Sequence, residues 1–372
     1  MRLIHTADWH LGNNIHDVDR RGEQKAFLDW LARQIEEQEA DTLVVAGDIF
    51  DVKRPKTEAE ELYFDFLSKI DDSSCKNVVI IGGNHDSGKF LEATKSIVKK
   101  FNIFVVGTAS EKSAADMVFA LKDEDGEDYA IIAAVPYMQE YELKEYYGED
   151  FEDGRFSDLA YQSVFEACLA CAETLQAGRS LPVVAISHLY AAGLEGRYEG
   201  MEAEVSTDDG VKVLDVVGKL GKIHADVFSA GFDYVGLGHI HYTTKVGGEN
   251  RIRYSGSPFV MGFDDAAIPH YVLRVDMGKA GEAVKVRKIT VPQTLEFRRL
   301  EGNKEEILEQ LRGIIQQREE AAAAKKAAPA YLELQYQADE GRELADAIDQ
   351  MTLPPGVSIV SWKPVKKSAG RS

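Results

Sequence analysis

The chain has 372 residues, of which 44% are hydrophobic and 28% charged, and a formal net charge of −20. That length suffices for a large core and points to two domains rather than one, and the composition excludes collagen-like and disordered classes. The acidic balance argues against indiscriminate binding to polyanions, so a nucleic-acid partner would need a local basic path, bound cations or a second subunit.

The first apolar run, "RLIHTAD" (2–8), reads as a strand and precedes a helical pattern over 20–38 with Phe27, Leu28, Leu31 and Ile35 on one stripe. "TLVVAGD" (42–48) precedes a helix around 58–70, and "VVIIGGN" (78–84) precedes another over 90–101. Further runs follow at 129–137, 182–188 and 233–239, with a long helical stretch at 157–176 between the first two. Strands this uniformly apolar, alternating with helices, predict an α/β fold whose strands have no wet face. After Gly278 the pattern shifts to strand, strand, long helix, strand, helix, strand, a small α+β unit of its own, and residues 363–372 read as a basic flexible tail.

The cysteines are Cys75, Cys168 and Cys171, an odd number that fits a reducing compartment. Cys168 and Cys171 form a C-x-x-C with no second ligand pair after it, so core packing on one helical face is expected rather than zinc or redox chemistry. No run of 18 apolar residues occurs, and the opening "MRLIHTADWH" has no apolar h-region, so a cytoplasmic location is expected.

Chemistry-bearing residues gather just after the apolar runs. The first supplies Asp8 and His10, the second Asp48 and Asp51, and the third Asn84, His85 and Asp86. Later runs supply His188, then His239 and His241, so five of the nine histidines fall in the set. In open α/β sheets, ligands collect outside the carboxyl ends of the strands, which places all these groups on one side. Taken singly, each has a plainer explanation as a helix cap or a satisfied polar contact, and His5, His16, His224 and His270 keep that explanation. Imidazole, carboxylate and amide oxygen without thiolate suit Mn²⁺, Fe²⁺ or Zn²⁺. Seven candidate ligands suit two ions, and a carboxylate from Asp48 is placed to bridge a pair roughly 3.5–4 Å apart.

In this order, D-x-H, G-D-x-x-D, G-N-H-D, a lone strand-end His and G-H-x-H resemble the calcineurin-like metallophosphoesterases. "TADWHLG", "RRGEQKAFLDWL", "VAGDIFD", "GNHDS", "AVPY", "DYVGLGHIH" and "YSGSPFVMGFDD" are similar to the branch holding the Mre-type nucleases and the SbcD exonuclease subunits. The resemblance implies a two-sheet α/β sandwich with helices on the outer faces over 1–277, and a small α+β capping domain over 278–362. It implies a first metal on Asp8, His10 and His241 and a second on Asn84, His188 and His239, with Asp48 bridging and the ions most often Mn²⁺. His85 would then face the scissile phosphate rather than a metal, with Asp51 orienting it and Asp86 capping its loop. The branch's substrate is DNA, cut as an exonuclease and at hairpins during repair and recombination. Its partner is an SbcC-like ATPase of the SMC type, and it works as a homodimer.

Lys53, Arg54 and Lys56, directly after the second cluster, are candidate phosphate contacts, as are Arg251 and Arg253 before "YSGSPF". Two other functions stay open on the sequence: hydrolysis of small phosphodiesters or phosphoproteins, and a non-catalytic subunit whose metals order the fold. Against the protein-phosphatase version, "GDIFDVKRP" lacks the Arg-Gly that follows this motif there, and a purely structural metal site leaves His85 without a purpose.

Overall fold

Four apolar runs form a parallel sheet core: β1 (Arg2–Thr6), β2 (Thr42–Ala46), β3 (Asn77–Ile81) and β4 (Ile103–Val106). The structure, a computed structural model, describes residues 1–71, 73–147, 156–191, 194–195, 223–322 and 328–365. Every residue of β2 and β3 is buried. Alternate residues Leu3, Val44, Ala46, Val79 and Ile81 belong to one large core cluster, while the intervening Ile4, Leu43, Val45, Val78 and Ile80 are buried on the other face. Period-two patterning with both sets apolar is what a sheet covered on both sides requires.

A second sheet supplies the other half of that cluster. It contains β5 (Val118–Lys122), β6 (Asp128–Val135), β7 (Val183–His188), β8 (Leu194–Glu195), β9 (Tyr234–Gly238), β10 (Thr244–Val246) and β11 (Glu249–Tyr254), in the order β5-β6-β7-β9-β11-β10-β8. Strands β6, β7, β9 and β11 are mutually parallel. The first sheet is completed on one edge by antiparallel β12 (Tyr271–Asp276) and β13 (Lys285–Thr290). Helices α1 (Arg21–Glu37), α2 (Thr57–Asp71), α3 (Gly88–Glu92), α4 (Lys95–Val98), α5 (Glu140–Tyr147) and α6 (Phe156–Gln176) fill the connections. Of these, α6 buries Tyr161, Val164, Phe165, Cys168 and Ala172 in the shared core. Cys171 packs against the same core, both thiols are free, and burial pushes the Cys168 thiol up to about 12. The C-x-x-C is therefore a packing element in a two-sheet α/β sandwich.

A separate parallel sheet joins β14 (Glu296–Gly302), β15 (Ala330–Gln337) and β16 (Val357–Val365), connected by α7 (Lys304–Ala322) and α8 (Gly341–Asp349). Ile307, Leu311 and Ile314 of α7 and Leu344 and Ile348 of α8 pack on Leu300, Leu332 and Leu334 of this sheet.

The chain divides into two units that interleave in sequence. One comprises Met1–Asn13, Phe27–Pro258 and His270–Val291; the other Asn14–Ala26, Phe259–Pro269 and Pro292–Ser372. In the second unit Ile15 and Val18 cluster with Val260, Phe263 and Phe297. The buried Arg20 guanidinium lies 5.5 Å from the Phe259 ring and 5.4 Å from that of Phe297, and its Nε donates to Glu23 at 2.7 Å. The strand 285–290, grouped by sequence with the C-terminal unit, pairs along its whole length with β12. Lys363, at the start of the expected tail, continues β16 and pairs with buried Glu333 at 2.8 Å; the rest of that tail, 366–372, lies outside the described residues.

Candidate metal centre

The site is built at the carboxyl ends of five parallel strands of the first unit. Asp8 and His10 follow β1, Asp48 and Asp51 follow β2, and Asn84 and His85 follow β3; His188 ends β7, and His239 and His241 follow β9. The backbone is strained where they converge. Asp8 (φ 54°), His10 (φ 42°), Asp48 (φ 51°) and His239 (φ 98°) all sit in the left-handed region, which non-glycine residues occupy at a cost and which collects at functional sites. Two close approaches require glycine: a Cβ at Gly83 would strike the Asp48 carboxylate, and one at Gly238 would strike the Ala46 carbonyl oxygen.

The seven expected ligands form one connected group. Ligand atoms of Asp8, His10 and His241 all lie within 4.8 Å of one another, and so do those of Asp8, Asp48 and His188. Asp48 Oδ2 stands 3.5 Å from His10 Nε2 and 3.3 Å from His188 Nε2, between the two sets. Asn84 Oδ1 lies 3.0 Å from both His188 Nε2 and His239 Nδ1. His188 Nδ1–H donates to the Ala46 carbonyl at 2.8 Å, which fixes the tautomer and turns Nε2 toward the cluster. The backbone N–H of His239 donates to Asp8 Oδ1 at 2.9 Å, and that of His85 to Asp48 Oδ1 at 2.9 Å, so each carboxylate is aimed from behind.

The electrostatics of these side chains fit a cation site. Burial raises the Asp8 carboxyl to about 7; His188 opposes the rise and the like charge of Asp48 adds to it. Burial would also raise Asp48, but His188, His10 and His85 hold it well below the usual carboxylate range. Burial would depress His188, yet Asp48 and then Asp8 lift it to about 9. His239 is lowered to about 4 by burial and by His188, and His241 to about 3 by burial and by His10. Asp8 and His188 are biased toward their protonated forms and Asp48 toward its ionised form, and a divalent cation would compete with those protons. The donor set, oxygen and imidazole nitrogen only, fits hard-to-borderline divalent ions.

His85 stands beside this group. Its ring meets that of His10 edge-on at 4.8 Å. Its Nδ1–H donates to the backbone carbonyl of Asp51 at 2.8 Å, leaving Nε2 as the uncommitted ring nitrogen, and a ring nitrogen of His85 lies within 4.8 Å of ligand atoms of His10 and Asp51. The expectation that Asp51 orients His85 thus takes an unforeseen form. The carbonyl holds His85, while the carboxylate lies 3.4 Å from His10 Nδ1 and accepts from Asn13 Nδ2 at 2.9 Å. The Asp86 carboxylate accepts three backbone N–H groups, from Gly83, Ile49 and Phe50 at 2.9–3.1 Å, and so ties the second and third strand-end loops together.

The other histidines lie elsewhere. His5 is buried against the Tyr234 hydroxyl at 2.9 Å, His224 pairs with Asp158 at 2.6 Å, His270 lies against the Ser257 carbonyl at 2.9 Å, and His16 is exposed beside Phe263.

Of the candidate phosphate contacts, Lys53, Arg54 and Lys56 are exposed just beyond Asp51. Arg251 and Arg253 are corrected by the structure. Strand β11 runs parallel to β9, with Ile252 opposite Val235, so Arg251 lies at the amino end of the sheet, away from His239. Its guanidinium donates to the carbonyls of Phe228, Ser229 and Phe232 at 3.1–3.2 Å and pairs with Glu249 at 2.6 Å. Arg253 is buried and bonded to Asn250. Arg251→Ala is therefore expected to cost about 1–3 kcal/mol of stability, read by thermal unfolding, and to leave the salt dependence of DNA binding unchanged.

The family described as calcineurin-like phosphoesterase matches residues 1–242. The chain is 29% identical over 342 residues to the D component of nuclease SbcCD from Escherichia coli (strain K12), covering 91% of this chain and 79% of that protein. It is 30% identical over 307 residues to the counterpart of that component in Rhodobacter capsulatus, covering 81% and 71%, and 29% identical over 286 residues to the one in Bacillus subtilis, covering 76% and 67%. A strand-end donor set of this kind, on this two-sheet frame and with these relatives, leads to one assignment: the chain belongs to the calcineurin-like phosphoesterase family.

Proposed function

We propose that this chain is the nuclease subunit of an SbcCD-like complex, hydrolysing DNA phosphodiesters as an exonuclease and at hairpins. The observation that carries the hydrolytic part is the convergence of seven donors beside a further imidazole, His85, whose Nδ1 is committed to the Asp51 carbonyl so that Nε2 remains for substrate. Relatives named for the nuclease, aligned over most of the chain, support the DNA substrate. Among the described residues no helix is long and apolar enough to cross a membrane.

The site would hold two divalent ions, with Mn²⁺ the best fit: Asp8, His10 and His241 on the first, Asn84, His188 and His239 on the second, and Asp48 shared. When bound, such ions stabilise charge on the phosphate and activate water. The chain's own contribution is positional. The carbonyl of Asp51 sets the direction of His85, which then donates to or protonates the leaving oxygen. Asp51's carboxylate steadies His10, and Asp86 keeps the two loops in register.

An SbcC-like ATPase of the SMC type, a homodimeric arrangement within the complex and work in repair and recombination in the cytoplasm complete the proposal. A second protein supplying DNA grip eases the conflict between a −20 chain and a polyanionic substrate. Lys53, Arg54 and Lys56 are the phosphate contacts this chain itself would offer. Replacing all three with alanine is expected to lower the slope of log affinity against log salt by about 2–3, measured by fluorescence anisotropy on a DNA hairpin.

The deciding experiment incubates the purified chain with Mn²⁺ and either a labelled DNA hairpin or a small phosphodiester, with and without the ATPase. Cleavage of DNA supports the proposal. Cleavage of the small ester alone replaces it with a small-molecule phosphodiesterase, and no cleavage in any arm replaces it with a metal-ordered binding subunit.

A further inference from the structure

The segment "AVPY" runs from the end of β6 toward the metal centre. Strand β6 lies parallel to β7 with Val135 opposite Ser187, so the two residues after Val135 emerge level with His188. Tyr137 is the second of them. Its backbone N–H donates to Gly82 O at 2.9 Å, which ties it to the loop carrying Asn84 and His85. Its ring meets His188 edge-on, with centroids 6.3 Å apart and planes at 81°.

The hydroxyl of Tyr137 is the feature of interest, because its ring lies against a member of the donor cluster. Some phenols of this unit use their oxygen, as Tyr129 does toward Thr42 and Asn77, Tyr161 in accepting from Met138 N and Tyr254 in donating to Leu189 O, whereas those of Tyr63 and Tyr242 make no hydrogen bond among the described residues. A packed tyrosine is distinguished from phenylalanine chiefly by that bond. Tyr137 is half-buried, and among the described residues its hydroxyl makes no hydrogen bond. The ring is employed against His188, and the hydroxyl is not committed to another described residue.

The position also divides the centre. His85 packs on His10, on one side, whereas Tyr137 packs on His188, which in turn meets His239 at 5.2 Å. A phosphodiester chain crossing such a centre presents successive phosphates, each an acceptor without a donor. Contacts to non-reacting phosphates set the register of the strand.

We propose that Tyr137 is a substrate-positioning residue whose hydroxyl donates to a phosphate oxygen next to the scissile one, on the His188 side of the centre. The inference rests on the nuclease reading above and names a contact that reading does not contain.

The test compares wild type, Tyr137→Phe and Tyr137→Leu in steady-state cleavage of a labelled DNA hairpin with Mn²⁺, alongside the metal content of each protein. Removing one hydrogen bond to a charged acceptor should raise the KM of Tyr137→Phe about tenfold, while its kcat and metal content hold. A Tyr137→Phe protein with wild-type KM would overturn the contact. So would a loss confined to Tyr137→Leu, which would show that only the ring matters, as a support for His188. If wild type cleaves a small phosphodiester but not the hairpin, the nuclease reading itself falls and takes this contact with it; cleavage by wild type with an unaltered Tyr137→Phe sinks the contact alone.

Discussion

His85→Ala protein is expected to bind metal at the wild-type ratio and to cleave DNA about a thousandfold more slowly, the range that loss of a positioned proton donor produces. The reason lies in how His85 is held. Its Nδ1 is committed to the Asp51 carbonyl at 2.8 Å, its backbone N–H is committed to Asp48 Oδ1 at 2.9 Å, and only Nε2 is free to serve a substrate. Alanine keeps the backbone bond and therefore keeps Asp48 aimed. Single-turnover cleavage and elemental analysis on the same sample separate the two properties. Loss of metal together with activity would mean that His85 is a ligand, and full activity would leave it without a chemical role.

Asp48→Asn is the second substitution with a large expected effect. Asparagine keeps an oxygen for the His85 N–H but carries no charge, and one oxygen cannot bridge two cations while its amide nitrogen faces His10 and His188. Asp48 Oδ2 stands 3.5 Å from one imidazole and 3.3 Å from the other, so both halves of the donor set lose their shared member. Metal content is expected to drop from two ions toward none, and cleavage to background, because removing one partner leaves buried groups without compensation. Retention of two ions with near-normal titration by calorimetry would refute the bridge.

How much of this is visible in the sequence depends on what each signal encodes. The apolar runs of β2 and β3 announce strands buried on both faces, and polar residues just after such runs fall on one side because parallel strands share a direction. That geometry is local plus one topological rule, so the convergence of the cluster is readable along the chain. Arg251 is not, because an arginine aimed at solvent phosphate and one donating to three carbonyls look alike in a sequence; only the parallel register of β11 with β9 tells them apart. Asp51 illustrates a finer limit, since residue identity says nothing about whether a carboxylate or a carbonyl will make the contact. Strand β13 sorts with its sequence neighbours when read alone, because antiparallel pairing to β12 is a tertiary choice. Tyr137 stands in a recognisable motif, yet its packing against His188 shows only once β6 and β7 are seen side by side.

The interleaving of the units has a practical corollary for anyone dissecting the molecule. A stop codon after Met277 would delete β13 from the flank of the first sheet and, with it, everything beyond. Residues 14–26 and 259–269 would still be translated, but Phe297, around which Ile15, Val18, Val260 and Phe263 gather and against which Arg20 is stacked, would be gone. The fragment would carry greasy side chains and a guanidinium stripped of one of its two stacking rings, a recipe for inclusion bodies rather than a minimal enzyme.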